Sequence, residues 1–230
     1  MTKLGPYILG PNDTPENGIY LGDARVLAEA IPDESIDLVF TDPIYQRIDD
    51  YRWLAETGAR VLRPEGALLC WSNGKWHRDN ANWLESYGLI YRWTFACVIS
   101  NASSPMNGKI IAKTSRVIWC NLGGPRNMRT YLADGYLSIG GAWNIAKGTH
   151  KWGKSAYFTQ RMIECFTDHD AIIFDPFTGG GTVPAVCKIL GRQYLAFEIL
   201  PDVAEMARER VRNTQPPLFV QREEQLELME

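Results

Sequence analysis

Residues 172–182 read Ile-Ile-Phe-Asp-Pro-Phe-Thr-Gly-Gly-Gly-Thr, and this stretch is the strongest local signal in the sequence. Its apolar start is typical of a buried strand, and the pattern over 183–190 predicts a helix that Gly191 ends. Glycines let the backbone approach a ligand closely, and the helix that follows offers free N–H groups at its positive end. The strand, turn and helix together predict an α/β protein with a ligand site at the carboxyl end of a strand.

Further strands and helices alternate on both sides of this stretch. Apolar runs predict strands over 19–21, 36–40, 67–71 and 194–197, and helical periodicity predicts helices over 24–30, 49–62, 80–87, 156–166 and 201–211. Such alternation predicts a mostly parallel twisted sheet with helices on both faces. Two longer runs, 89–99 and 115–121, are expected to form one antiparallel strand pair.

The 230 residues are enough for one sizeable α/β domain, which we place at 1–214. An insert at about 100–153 is rich in Gly, Asn and Ser and predicts long functional loops, and 215–230 predicts a flexible acidic tail. The chain contains no apolar run of about 18 residues and no apolar signal core, so a cytoplasmic protein without a membrane partner is expected.

Basic residues are concentrated in one part of the chain. The net charge is −3, but residues 100–160 hold eight Lys and Arg against one acid. Such a segment predicts a face that binds an anion such as nucleic acid, although a solvated Lys-rich loop has the same composition. The five cysteines form no Cys-x-x-Cys pair and no zinc-like cluster, so no metal is expected.

The glycine-rich turn suits a nucleoside that carries an amino acid better than a dinucleotide. A dinucleotide pattern starting at Gly179 needs glycine where Pro184 stands, and Asp175 would lie unfavourably close to a pyrophosphate. Asp175 is instead suited to an ammonium group, and Glu198, at the end of the next strand, to ribose hydroxyls. S-adenosylmethionine has these parts, whereas the alternative is a plain glycine-rich turn.

A second candidate site follows the strand at 36–40, where residues 41–45 read Thr-Asp-Pro-Ile-Tyr. The carboxylate of Asp42 and the carbonyl of Pro43 are both acceptors, and an exocyclic NH2 group has two hydrogens to donate. Tyr45 is suited to stacking on a base that has left the duplex. A structural Asp-Pro turn is the alternative interpretation.

Taken together, these motifs resemble the amino-methylating DNA methyltransferases of the permuted β type. In that family an Asp-Pro-Pro-Tyr motif precedes an Asp-Pro-Phe-x-Gly-x-Gly-Thr motif, and here 42–45 precedes 175–182. Residues 22–24, 154–155 and 191–198 also resemble segments of the family. The sequence departs from the pattern at Ile44 and Ser155, where the family has Pro, and at Ala196, where Gly is usual.

The resemblance implies a Rossmann-like methyltransferase fold, S-adenosylmethionine as cofactor and transfer to adenine N6. Cytosine N4 is the alternative target, since Asp42 favours adenine and many cytosine enzymes carry Ser at that position. A catalytically weak nucleic-acid-binding subunit is a further alternative, suggested by Ile44. The implied catalytic residues are Asp42, Pro43, Ile44 and Tyr45. The implied cofactor-binding residues are Asp23 and Ala24 at the adenine, Glu198 at the ribose, Lys154 and Ser155 at the methionine end, and Asp175, Pro176, Phe177, Gly179, Gly181 and Thr182 in the turn.

The basic segment falls where the family places target recognition. It implies double-stranded DNA as the partner, with base flipping, and a monomer or homodimer in a restriction–modification setting. The expected DNA-binding residues are Lys109, Lys113, Arg116, Arg126, Arg129, Lys147 and Lys151.

Overall fold

The structure is a computed structural model that describes residues 8–9, 18–99, 105–106, 110–123, 133–138 and 154–215. Its strands are β1 (Ile8–Leu9), β2 (Gly18–Leu21), β3 (Ile36–Thr41), β4 (Leu62–Ser72), β5 (Ile90–Ile99), β6 (Pro105–Met106), β7 (Ile110–Ile111), β8 (Thr114–Asn121), β9 (Gly135–Ser138), β10 (Ile172–Asp175) and β11 (Gln193–Glu198). Its α-helices are α1 (Ala24–Leu27), α2 (Ile48–Val61), α3 (His77–Leu84), α4 (Ala156–Phe166), α5 (Thr182–Leu190) and α6 (Pro201–Asn213).

Nine of these strands form one mixed sheet in the order β1-β2-β11-β10-β3-β4-β8-β5-β9. Strands β2, β11, β10, β3 and β4 run parallel to one another, as expected when helices connect the strands. The predicted antiparallel pair is β5 with β8. Strand β8 also runs antiparallel to β4, and β1 to β2, so the antiparallel part is larger than predicted.

Helices cover both faces of the sheet, as the apolar runs predicted. In β3 the side chains alternate: Leu38 and Phe40 belong to one buried cluster, and Val39 belongs to the other. The first cluster includes residues of α4, α5 and α6, and the second includes residues of α1, α2 and α3. Burial on both faces explains why the strands read as continuous apolar runs. All five cysteines are buried, and none of them forms a disulfide bond.

Local signals determine where several helices begin and end. Ser155 caps α4 by accepting a hydrogen bond from the N–H of Phe158 at 3.3 Å. Pro201 occupies the first turn of α6. Gly191 ends α5 in the left-handed conformation at φ 65°, which glycine adopts without the steric cost of a side chain.

Strand β9 was not predicted, because it lies in the insert that was expected to be loop-rich. It pairs parallel with the end of β5, from Ala96 opposite Gly135 to Ile99 opposite Ser138. Of the expected tail at 215–230, all but Gln215 lies outside the described residues, and the domain boundaries remain a prediction. None of the helices within the described ranges is long and apolar enough to cross a membrane.

Candidate active site

The two candidate motifs lie at neighbouring strand ends. Strands β3 and β10 are parallel partners, with Val39 opposite Phe174, so the turns that follow them leave the same edge of the sheet. A cavity of about 460 Å³ lies between these turns. It is lined by Thr41, Asp42, Pro43, Ile44, Tyr45, Trp71, Lys154, Thr159, Asp175, Phe177, Thr178, Gly179, Gly180, Thr182 and Val183. The structure therefore brings the two predicted sites together in one cavity.

The glycine-rich turn requires two left-handed residues. Gly179 has φ 49° and Gly181 has φ 73°, which is a region that residues with side chains rarely adopt. A Cβ on Gly181 would lie 2.9 Å from the Cβ of Ala207, so α6 packs directly against this turn. Arg210 of α6 donates hydrogen bonds of 2.8 Å to the Gly180 carbonyl and to the Thr182 hydroxyl. The turn is thus held firmly while its inner side borders the cavity.

Asp175 is a buried carboxyl group at the end of β10. The hydroxyl of Thr41 donates to its Oδ1 at 2.7 Å, and the N–H of Phe177 donates to the same atom at 3.4 Å. Burial raises the pKa of Asp175 to about 7, although these hydrogen bonds favour the charged form. Because it lines the cavity, this group can accept a hydrogen bond from a ligand once it is ionised.

Glu198 ends β11 and is bound to the tip of the glycine-rich turn. Its Oε2 accepts the N–H of Gly179 at 3.0 Å, and its Oε1 accepts the N–H of Leu200 at 3.0 Å. Each carboxylate oxygen has a second lone pair, so both can accept a further hydrogen bond from a hydroxyl. Its backbone carbonyl also accepts the N–H of Gly22, which places Asp23 beside this strand end.

Asp23 and Ala24 begin α1 and are not among the residues that line the cavity. The carboxylate of Asp23 accepts the N–H of Arg25 at 2.9 Å and caps the helix, and Ala24 is buried. The sequence-based interpretation missed two neighbours, Trp53 and Arg25. The Trp53 ring packs edge-on against Phe177 at a centroid distance of 5.6 Å, and the Arg25 guanidinium lies 5.7 Å from the Trp53 ring.

Asp42 has two oxygens in different environments. Its Oδ2 forms an ion pair with Nζ of Lys154 at 2.9 Å, whereas its Oδ1 is enclosed without a hydrogen-bond partner in the described parts of the chain. Burial raises the pKa of this carboxyl group, and the charge of Lys154 opposes the rise. An enclosed acceptor without a donor is costly unless a ligand supplies one.

Tyr45 and Ile44 border the same cavity in different ways. The Tyr45 hydroxyl accepts a hydrogen bond from Nζ of Lys154, and burial raises the pKa of Tyr45 above its ordinary value. Ile44 is 53% exposed, although an isoleucine is normally buried. An apolar side chain at this rim is suited to contact with an apolar or aromatic ligand surface.

The lining of the cavity is suited to S-adenosylmethionine. A Cβ placed on Gly179 would meet no atom within 4 Å, so there is open space at this point of the turn. The buried hydroxyl of Thr159, which also lines the cavity, has no hydrogen-bond partner among the described residues. A carboxyl group, left-handed backbone at a helix N-terminus and an unpartnered hydroxyl suit a zwitterionic ligand. The residues therefore fit this cofactor. No group of three or more possible metal ligands occurs within the described ranges.

Two of the predicted DNA-binding residues are described, and both belong to the β7–β8 region. Lys113 is exposed, and Arg116 of β8 is half-buried. Arg116 is paired opposite Ser72, at the carboxyl end of β4, and so lies on the same edge of the sheet as Asp42. The other five, Lys109, Arg126, Arg129, Lys147 and Lys151, lie outside the described residues.

Comparisons with known proteins point to one family. A family model described as a DNA methylase matches residues 138–209. The chain is 31% identical to the type II methyltransferase M2.MboI of Moraxella bovis, over 94% of each protein. It is 26% identical to the type II methyltransferase M.BamHI of Bacillus amyloliquefaciens over 85% of this chain, and it spans only 57% of that relative's length.

Two solved structures share the fold. The complex of M1.HpyAVI with S-adenosylmethionine superposes with a TM-score of 0.73 at 22% identity, covering 84% of this chain and 98% of that one. The cytosine-N4-specific PvuII DNA methyltransferase superposes with a TM-score of 0.74 at 16% identity, covering 89% of this chain and 88% of that one. At these identities the likeness concerns the fold, which is that of Rossmann-like methyltransferases.

Proposed function

The chain belongs to the β-type DNA amino-methyltransferases, which use S-adenosylmethionine, and we propose that it methylates adenine N6 in DNA. The observation that carries the proposal is the unpartnered Oδ1 of Asp42, a residue that lines the same cavity as the glycine-rich turn. An acceptor without a donor at this place suits an incoming amino group. Family membership alone does not select between adenine and cytosine.

The cofactor supplies an electrophilic methyl group when it is bound. Ionised Asp175 would accept a hydrogen bond from its ammonium group, and the N–H groups at the start of α5 would hold its carboxylate. Glu198 would accept from the ribose hydroxyls with its remaining lone pairs. Asp23 and Ala24 would contact the adenine, and Phe177, backed by Trp53, would supply an apolar wall.

The target base would enter the cavity after leaving the duplex. Oδ1 of Asp42 and the Pro43 carbonyl would each accept one hydrogen of the amino group, which turns the nitrogen lone pair out of conjugation. Tyr45 would stack on the base, and exposed Ile44 would contact it at the rim. Holding the amine in line with the methyl group provides the rate enhancement mainly through positioning. No activated cysteine or serine nucleophile is required.

Adenine is favoured because an aspartate, rather than a serine, stands at the first catalytic position. Cytosine N4 presents the same pair of hydrogens beside an acceptor nitrogen and is therefore the nearest rival. The enclosed Oδ1 of Asp42 argues against a subunit that has lost catalysis, because burying an acceptor without function is costly.

The DNA would be held by Lys113 and Arg116 together with the five basic residues predicted around them. Cations on the sheet edge that carries Asp42 would neutralise DNA phosphates and so position the duplex. Such phosphate contacts do not distinguish one base sequence from another. A cytoplasmic location and a restriction–modification setting fit the type II relatives.

The test is transfer of a tritiated methyl group from S-adenosylmethionine to unmethylated plasmid DNA. We expect label in the DNA with the wild-type protein and none above background with Asp42→Ala. Digestion to nucleosides then separates N6-methyladenine from N4-methylcytosine. Label in cytosine alone would exclude the adenine proposal, and label that is equal in both proteins would exclude the role of Asp42.

A further inference from the structure

We infer that Lys154 is a positioning residue that acts through Asp42 rather than a residue of the cofactor site. Its ammonium group holds Oδ2 of Asp42 at 2.9 Å and thereby leaves Oδ1 for the amino group of the base. The inference rests on the proposed function, because the base amine is the group that Asp42 would bind. It differs from what the resemblance implied, which placed Lys154 at the methionine end of the cofactor.

The contacts of Lys154 are those of a fixed side chain. Only 19% of the side chain is exposed, and Nζ donates to the Tyr45 hydroxyl as well as to Asp42. Nζ also lies 5.1 Å from the centre of the Tyr45 ring and 5.0 Å from that of Trp71. Two aromatic faces, a hydroxyl and a carboxylate therefore hold one cation, and partial desolvation strengthens each of these contacts.

The other ionisable groups around Asp42 do not supply a positive charge. Tyr45 lies in its own turn, Tyr51 belongs to α2, Cys70 to β4 and Asp175 to β10. Each of these groups is neutral or negative. Among the described residues that interact with Asp42, Lys154 is therefore the one that supplies a positive charge to compensate its carboxylate.

This arrangement matters for the reaction because the amino group accumulates positive charge as it accepts the methyl group. A charged Asp42 stabilises that change, whereas a protonated Asp42 does not. The charge of Lys154 opposes the rise in the pKa of Asp42 that burial causes and so favours the ionised carboxylate. The ion pair at Oδ2 also fixes the rotation of the carboxylate, which leaves Oδ1 without a partner among the described residues. Removing the cation should therefore slow transfer and leave cofactor binding almost unchanged.

The decisive variants are Lys154→Met, which removes the charge at similar length, and Lys154→Arg, which keeps it. In protein labelled with ¹³C at aspartate side-chain carboxyls, the signal missing from Asp42→Asn identifies Asp42. We expect its titration midpoint to rise by about one to three pH units in Lys154→Met, the size of the effect of a neighbouring opposite charge. In Lys154→Arg the midpoint should stay near that of the wild type.

Kinetics provide the second readout. The acidic limb of kcat/KM against pH should move to higher pH in Lys154→Met by a similar amount, kcat should fall, and Kd for S-adenosylmethionine should stay within about twofold. Lys188→Met, which removes a lysine that bonds the carbonyls of Val211 and Arg212, should leave the limb where it is. If Lys154→Met does not fold, Lys154→Gln replaces it in both experiments.

The outcomes separate the two proposals. An active wild type whose Asp42 midpoint and acidic limb do not move in the variant would overturn the inference. A large loss of cofactor affinity with unchanged Asp42 titration would also overturn it and return Lys154 to the cofactor site. A wild type that transfers no label to DNA would overturn the proposed function, while the shifted midpoint would still establish the ion pair.

Discussion

The chain contains two Asp-Pro turns at adjacent strand ends, one at Asp42-Pro43 after β3 and one at Asp175-Pro176 after β10. Their local sequences are alike, but their surroundings differ. Asp175 accepts neutral hydrogen bonds from the Thr41 hydroxyl and the Phe177 N–H. Asp42 has a cation on one oxygen and no partner from the described residues on the other.

The difference shows that the chemistry of each turn comes from residues far away in the sequence. Lys154 is 109 positions from Tyr45, and Thr41 is 134 positions from Asp175. The carboxyl group with neutral donors is suited to holding a ligand in place, and the one with a cation is suited to remaining charged during a reaction. The following experiments test whether that division of roles is real.

The largest effect is expected for Asp42→Ala, which removes the acceptor from the turn after β3. Transfer of the methyl group should fall by about 10²–10⁴-fold, the range typical of a lost catalytic contact. Binding of S-adenosylmethionine, measured by calorimetry, should remain close to that of the wild type. Asp49→Ala is the matched control, because Asp49 is exposed at the start of α2 and should be dispensable. Near-normal turnover in Asp42→Ala would abolish the distinction between the turns.

A smaller effect, now on binding, is expected for Asp175→Ala. Loss of a hydrogen bond to a charged group costs about 1.5–3 kcal/mol, so Kd for the cofactor should rise by about 10–100-fold. Asp202→Ala, in the exposed first turn of α6, should leave Kd unchanged. Equal affinities in the wild type and Asp175→Ala would remove Asp175 from the cofactor site.

Folding stability separates the two left-handed glycines of the turn after β10. In Gly181→Ala the new Cβ would clash with Ala207, so the free energy of unfolding should fall by about 2–4 kcal/mol. Gly179→Ala meets nothing within 4 Å and should cost only about 1–2 kcal/mol for its backbone conformation. Urea unfolding of both variants measures the difference, and equal losses would mean that α6 does not confine the turn.

The smallest effect is a pH dependence of cofactor affinity in the wild type. The pKa of Asp175 is about 7, raised by burial, so the free protein holds this group mostly protonated at pH 6 and mostly ionised at pH 8. Only the ionised form attracts the ammonium group, and affinity should therefore rise severalfold, up to about tenfold, across this window. In Asp175→Asn the rise should disappear. A wild-type affinity that is flat from pH 6 to 8 would contradict the proposed contact.

Much of the fold was predictable from apolar periodicity and turn residues. Helix α4 was predicted at its observed bounds, 156–166, because its apolar pattern is strong. The buried strands β3 and β10 were predicted over 36–40 and 171–174, each within one residue of the observed bounds at either end. Strand β9 was missed because Gly135 and Ser138 carry no strand signal, and its pairing with β5 depends on tertiary structure.

The site was predictable only in part. The two motifs identified the residues of the turns, and parallel topology predicted that those turns would meet. The partners of Asp42 and Asp175 were not predictable, because a lysine before a helix and a threonine ending a strand have no distinctive pattern. Thr41 immediately precedes the motif at 42–45, but its hydrogen bond to Asp175 depends on the sheet order.

Thr41 directly links the turn after β3 to the turn after β10. Its hydroxyl donates to Asp175 and accepts the Phe177 N–H at 3.2 Å, while its own peptide bond leads into Asp42. Thr41 is thus hydrogen-bonded to the carboxyl group of one turn and covalently bonded to Asp42 of the other turn. The distance between the two carboxyl groups is therefore set by one strand end, with no flexible segment between Thr41 and Asp42.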